Sequence, residues 1–284
     1  MDIIDKAIRS SIPLRKVNPQ KKPIDIASGC FLIYKGLSFF LTVRHIYENR
    51  DIGDWNILIG CEINNTTGKI NAKMQYLPPL CEMNRFLLFE NPSPKVFEHL
   101  QLENSEETLP SLGAKRVDFV YRKMDFVPCH IELFTGLEFC SIPLISLEDD
   151  LESLPDKNKR YIFFGNTKPY EDAEKLDFVD GIDVPIHRVT PSLFPDIKYI
   201  KKTRGMLEFE LSENRESEEI AGCSGAPIID EDGNLVSLVV EMDHKYESIL
   251  NNGRYKGKRL CTKLYGVDLQ LFKTALDREA GVIG

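Results

Sequence analysis

The chain has 284 residues, 42% of them hydrophobic and 28% charged, with a formal net charge of −8. That length is ample for one large domain or two small ones with a sizeable core. The acidic balance argues against general nucleic-acid or anionic-membrane binding, both of which need basic surfaces, and no stretch nears the ~18 apolar residues of a membrane span.

The first residues, MDIIDKAIRSSIPLRKV, include early acids and no apolar run of signal-peptide length. The 7 cysteines are odd in number and never spaced as Cys-x-x-Cys. They read as reduced thiols, and the expected compartment is the cytoplasm. Cys129, His130 and Cys140 match no common zinc-ligand spacing, so neither a metal nor another cofactor is expected. The basic cluster Lys198, Lys201, Lys202 and Arg204 is expected to be a solvated face.

An N-terminal segment, 1–23, carries a helix pattern over 2–9. Two β-branched and aromatic runs then fill IDIASGCFLIYKGLSFFLTV at 24–43, with a hairpin signal at Lys35-Gly36. Short apolar runs follow at 56–61, 117–121 and 130–134. Residues 76–113, rich in Pro, Glu and Asn, read as a long loop suited to gating access or docking a partner. Residues 146–160 (SLEDDLESLPDKNKR) read as a polar connector.

Strand patterns resume at 160–165, 183–190, 205–212, 226–230 and 234–242, with a turn at Asp232-Gly233. MLEFEL alternates apolar and acidic residues, so one wet face is expected. VDLQLFKTALDREA at 267–280 has helical spacing through Leu269, Phe272 and Leu276. Many short strands separated by turns, with helix mostly at the end, predict an all-β protein of sandwiches or barrels. The expected units are 24–150 and 151–265, followed by a terminal helix in 266–284.

The segment AGCSGAPIID at 221–230 sets two candidate nucleophiles, Cys223 and Ser224, between glycines that also suit a tight turn. FFLTVRHIYEN places His45 directly after an apolar strand. Serine is a poor nucleophile until a base takes its proton, and imidazole is the usual base near neutral pH. That base needs an acceptor to fix its tautomer. Asp118 is a lone carboxylate in the apolar run VDFVY, where burial is costly unless a hydrogen bond satisfies it. Asp125 and Asp54 are alternatives; on one strand Asp118 and Asp125 would face opposite sides.

These motifs resemble the chymotrypsin-like serine peptidases. SGCFLIYKGLSFFLTVRH is similar to that family's Gly-Ser/Thr-Gly-Phe hairpin followed by Leu-Thr-Ala-x-His. VDFVY resembles its Asp-x-Ala segment, and GCSGAPIIDEDGNLVSLVV its Gly-Asp-Ser-Gly-Gly-Pro with the next strand. The chain order His45, Asp118, Ser224 is the family's order, and the likeness extends loosely over residues 25–280. It is closest in style to intracellular bacterial members.

The resemblance implies two packed six-stranded antiparallel barrels, the first carrying His45 and Asp118 and the second Ser224, with a C-terminal helix. It implies a serine endopeptidase acting on a protein or peptide substrate inside the cell. Ser224 would be the nucleophile, His45 the base and Asp118 its orienting acid, with the N–H groups of Gly222 and Ser224 as the oxyanion hole. Cys223 stands where the family usually has Asp, one place from the nucleophile, and Ala226 where it usually has Gly. Glu218, six residues before the serine, is the candidate floor of a pocket for Arg or Lys, although it also belongs to the acidic run SENRESEE. Val240, Glu241 and Met242 are expected to line the cleft. The alternative is a catalytically silent protease-like module that binds or regulates a partner protein.

Overall fold

The computed structural model describes residues 1–17, 23–43, 46, 54–63, 70–76, 84–89, 114–124, 131–135, 138–142, 145–166, 191–203, 206–251 and 254–281. The amino-terminal half opens with helix α1 (Ile3–Ser10), then strands β1 (Ile12–Val17), β2 (Pro23–Tyr34) and β3 (Leu37–Thr42). Next come β4 (Asp54–Ile63), β5 (Ile70–Tyr76), β6 (Asn84–Phe89), β7 (Ala114–Met124), β8 (Ile131–Thr135), β9 (Glu138–Ile142) and β10 (Leu147–Glu148). Lys35 and Gly36 join β2 to β3 with φ of 48° and 78°. Positive φ at both central residues gives a turn whose twist matches the flanking strands.

The order in this sheet is β5-β4-β1-β2-β3-β7-β6, with β10 added parallel to β2. The strands β8 and β9 form a separate pair. Its end strands, β5 and β6, do not pair with each other among the described residues. The expected closure of the first unit into a barrel is therefore not found there, and an open eight-stranded sheet is described instead.

The carboxy-terminal half comprises β11 (Arg160–Asn166), β12 (Pro191–Thr203), β13 (Met206–Glu216), a short helix α2 (Ser217–Ile220), β14 (Pro227–Asp230), β15 (Leu235–Asn251) and β16 (Arg254–Asp268). A 3-10 turn (Leu269–Phe272) leads into α3 (Lys273–Glu279). The six strands close into an antiparallel barrel, β11-β12-β13-β16-β15-β14. Closure removes the sheet edges that would otherwise expose unpaired backbone groups.

Strand alternation explains why RYIFFG and NLVSLVV are nearly unbroken apolar runs. Tyr161, Phe163, Val236 and Val239 fill the barrel interior with Phe209, Leu264 and Cys223. Their neighbours Ile162, Phe164, Leu235, Leu238 and Val240 face outward into a second core. That second core also holds Ile12, Leu14, Phe31, Phe40 and Leu41 of the first sheet and Ala7 of α1. One strand thus serves two cores, and the two halves share an apolar seam.

Several expectations change. Residues 76–113 contain a strand, β6, because the apolar run NRFLLF pairs with β7; residues 77–83 and 90–113 lie outside the described residues. The 146–160 stretch is more than a solvated connector. Leu147 and Leu151 are buried, and the Asp149 carboxylate accepts from the N–H groups of Leu151 and Leu235, both at 2.6 Å. The acidic face of MLEFEL is wet at Glu210, which is exposed, but Glu208 is 4% exposed, beneath Lys263 at 2.5 Å and Lys201 at 3.5 Å. The Lys263 hydrogen bond holds its carboxyl below the usual range, against the opposing effect of burial. Lys198, Lys201 and Lys202 are exposed, as expected of a solvated face, and Lys202 pairs with Asp268 at 2.5 Å; Arg204 lies outside the described residues. The strand pattern at 183–190 lies outside the described residues.

The halves are also tied by polar contacts. The Tyr34 hydroxyl donates to Asp277 Oδ1 at 2.6 Å, and Lys35 Nζ reaches the same oxygen at 2.5 Å. This joins the β2–β3 hairpin tip to α3. The Lys35 and Tyr34 hydrogen bonds hold the Asp277 carboxyl below its ordinary value.

Candidate functional site

Ser224 sits in the loop between α2 and β14, half-buried, at the seam between the two halves. The loop is built by a sequence of local bonds. The backbone N–H of Glu216 donates to the Glu219 side chain at 3.1 Å, part of a capping box that starts α2. The helix ends as Ala221 N–H donates to Ser217 O at 3.1 Å and Cys223 N–H to Ile220 O at 3.0 Å. Gly222 then turns the chain at φ 100° and Gly225 at φ 86°. Side chains with a Cβ rarely adopt such values, so both glycines are required by geometry.

Strand β15 clamps the far side of the loop. Gly225 N–H donates to Val239 O at 2.7 Å, and Val239 N–H donates to Ala226 O at 2.9 Å. Ala226 N–H donates to Cys223 O at 2.9 Å. The Cys223–Ser224 peptide is trans, so its N–H points away from that carbonyl. Among the described residues, neither the Ser224 N–H nor the Gly222 N–H donates to a backbone carbonyl. Two backbone donors with no backbone acceptor among the described residues, beside a serine hydroxyl, can bind an oxyanion.

The first sheet meets this loop through β2 and β3. Ser28 N–H donates to Ser224 O at 2.8 Å, and Ser28 Oγ donates to Gly222 O at 3.1 Å. Thr42 Oγ1 donates to Ser28 O at 2.9 Å. A Cβ on Gly225 would lie 2.0 Å from Ser28 O and 2.6 Å from Thr42 Oγ1. Backbone therefore packs directly on backbone across the seam.

His45 is three residues after Thr42 and lies outside the described residues, although Val43 and Ile46 on either side are buried in the shared core. In the register of β3 against β7, Thr42 pairs with Val120. Asp118 is two residues from Val120, so its backbone lies on β7 at the end of β3 from which the His45 segment departs. Asp125, Cys129 and His130 lie outside the described residues; Asp54 begins β4 and Cys140 is in β9. Glu218 is within α2. Val240 is buried, Glu241 exposed and Met242 partly buried against the barrel interior.

Cys223 is fully buried. Its sulfur fills the space beside Gly165, where an added Cβ would lie 2.3 Å away. Burial pushes its thiol far above the usual range, which is the reverse of what a nucleophilic sulfur needs. Cys261, in the same core, is pushed up to about 11 by burial. The bonds from Ser28 to Gly222 and Ser224 carried no local sequence signal, since they join residues nearly 200 positions apart.

Among the described residues, no group of three or more His, Cys, Asp or Glu could hold a metal ion, and no helix is long and apolar enough to cross a membrane. No protein-family model matches the chain, and no curated protein matches it. Among solved structures it is similar to the crystal structure of the serine endoprotease from Yersinia pestis, with a TM-score of 0.41 and 12% identity. That superposition covers 98% of this chain and 66% of the other, so this chain spans just under two thirds of that protein's length.

Proposed function

We propose that the protein is a serine endopeptidase in which Ser224 is the nucleophile, His45 the general base and Asp118 the acid that orients His45. The observation that carries this reading is the Ser224 loop. A half-exposed serine is held between two positive-φ glycines, with the N–H groups of Gly222 and Ser224 both lacking a backbone acceptor among the described residues. The His45 and Asp118 assignments rest on the chain order and motifs, with the register of β3 and β7 in their favour.

In the reaction, Ser224 Oγ forms a bond to the peptide carbonyl carbon while its proton passes to His45. The carbonyl π pair moves onto oxygen, where the two N–H groups stabilise the negative charge; losing one such donor typically costs about 3 kcal/mol. Collapse of this intermediate breaks the C–N bond, and His45 delivers the proton to the departing amine. Water then repeats both steps on the acyl-enzyme and releases the acid. No cofactor enters these steps. Glu218 is the proposed selector of Arg or Lys before the scissile bond, and Val240, Glu241 and Met242 flank the cleft. The substrate is proposed to be a cytoplasmic protein.

The test is labelling with a fluorophosphonate probe, which transfers phosphorus to Ser224 Oγ and releases fluoride. Wild type should label on Ser224, while Ser224→Ala and His45→Ala should not. An unlabelled, folded wild type would instead favour the silent protease-like module.

A further inference from the structure

We infer that Ser28 and Thr42, both in the first sheet, are positioning residues that hold the Ser224 N–H in its oxyanion-binding direction; this rests on the serine-peptidase reading. Both side chains are fully buried, so their hydroxyls must bond within the protein. Ser28 bonds one short loop twice, and Thr42 bonds Ser28 in turn. Ser28 holds Gly222 O through its hydroxyl at 3.1 Å and Ser224 O through its N–H at 2.8 Å. The carbonyl between them, Cys223 O, accepts from Ala226 N–H at 2.9 Å.

Three successive peptide planes are therefore pinned, at residues 222, 223 and 224. Peptides are rigid and planar, so fixing each carbonyl also fixes the N–H across the same plane. The Ser224 N–H shares its plane with the Cys223 carbonyl, and the two carbonyls that Ser28 holds share planes with the N–H groups of Cys223 and Gly225, so Ser28 pins the planes on either side of the Ser224 N–H. Thr42 Oγ1 holds Ser28 O at 2.9 Å, so the peptide after Ser28 is fixed as well.

Neither hydroxyl is needed to form its strand. Ser28 pairs with Pro13 and Thr42 with Val120 through main-chain register alone. The hydroxyl pair is thus an added device that transmits the geometry of one half to the reactive loop of the other. Misplacement of reacting groups by about 1 Å can cost 10²-fold in rate, so loss of either hydroxyl acts on chemistry rather than on substrate capture.

The experiment measures saturation kinetics of fluorophosphonate labelling at Ser224 in wild type, Ser28→Ala, Thr42→Val, Thr42→Ser and the S28A/T42V double variant, with thermal melts to confirm folding. Expected are a fall of about 10-fold or more in kinact with KI unchanged for Ser28→Ala and Thr42→Val, and near wild-type kinact for Thr42→Ser. The double variant should lose no more than the worse single, because both hydroxyls act through one chain of bonds. Folded single variants with wild-type kinact, or losses that simply add, overturn the proposal while leaving the peptidase reading intact. Wild type that does not label on Ser224 overturns both.

Discussion

Gly225→Ala is the substitution that most directly probes the seam. The new methyl would lie 2.0 Å from Ser28 O, 2.6 Å from Thr42 Oγ1 and 2.9 Å from Ser28 C. Relieving contact with a backbone oxygen needs a shift of roughly 1 Å or more toward ordinary van der Waals separation. Neither neighbour yields easily, since Ser28 O already accepts from Thr42 and Ser28 N–H already donates to Ser224. Forcing an L-residue to the φ of 86° seen at Gly225 adds about 1–2 kcal/mol, and overpacking adds about 1–3 kcal/mol. The expected total is about 2–5 kcal/mol, or a fall in Tm on the order of 5–15 °C.

Gly36→Ala is the matched control. Its φ is 78°, yet among the described residues nothing lies within 4 Å of its added methyl, so only the strain of about 1–2 kcal/mol applies. Circular-dichroism melts of both variants separate crowding from strain, and labelling of the folded fraction reads the reactive loop. Gly225→Ala should also label at least 10-fold more slowly. Melting within about 2 °C of Gly36→Ala, together with wild-type labelling, would refute the packing described at this seam.

Three further outcomes are expected. At Asp230 burial pushes the carboxyl up, but hydrogen bonds outweigh it, Lys159's first and then those of Asn234 and Ser153, and hold it below the usual range. With the folded value depressed, this stabilisation is fully present above the unfolded value near pH ~4 and is lost as pH falls through the folded one. Asp230→Asn should therefore lower stability at pH ~7 by about 1–3 kcal/mol and flatten the acid limb of a denaturant-midpoint titration. Cys223→Ser should lose about 1–3 kcal/mol, because a hydroxyl replaces a buried sulfur without an assured partner. It should still label on Ser224, and labelling abolished in a folded variant would reopen the choice of nucleophile. Glu218→Gln should cut kcat/KM for peptides with Arg or Lys before the scissile bond by about 10–100-fold while sparing apolar ones; equal losses for both would remove Glu218 from the pocket.

What the amino-acid order determined alone were features whose causes are local. Lys35-Gly36 and Asp232-Gly233 are turns because their backbones need glycine, and Gly233 indeed has φ 87°. The β-branched runs at 24–43 and the glycine-flanked serine were legible for the same reason. Strand β12 escaped notice because Pro195 interrupts its pattern. The structure accommodates that proline at a bulge, where the pairing of Tyr161 with Ile197 shifts to Phe163 with Phe194. Glu208 looked like a solvent-facing residue because its lysine partners come from other strands. Only the tertiary structure brought Ser28 and Thr42 against Gly222, Ser224 and Gly225, and only it turned Cys223 inward beside Gly165. These contacts join distant parts of the chain, and no local propensity encodes which backbone atoms will meet across two folded halves.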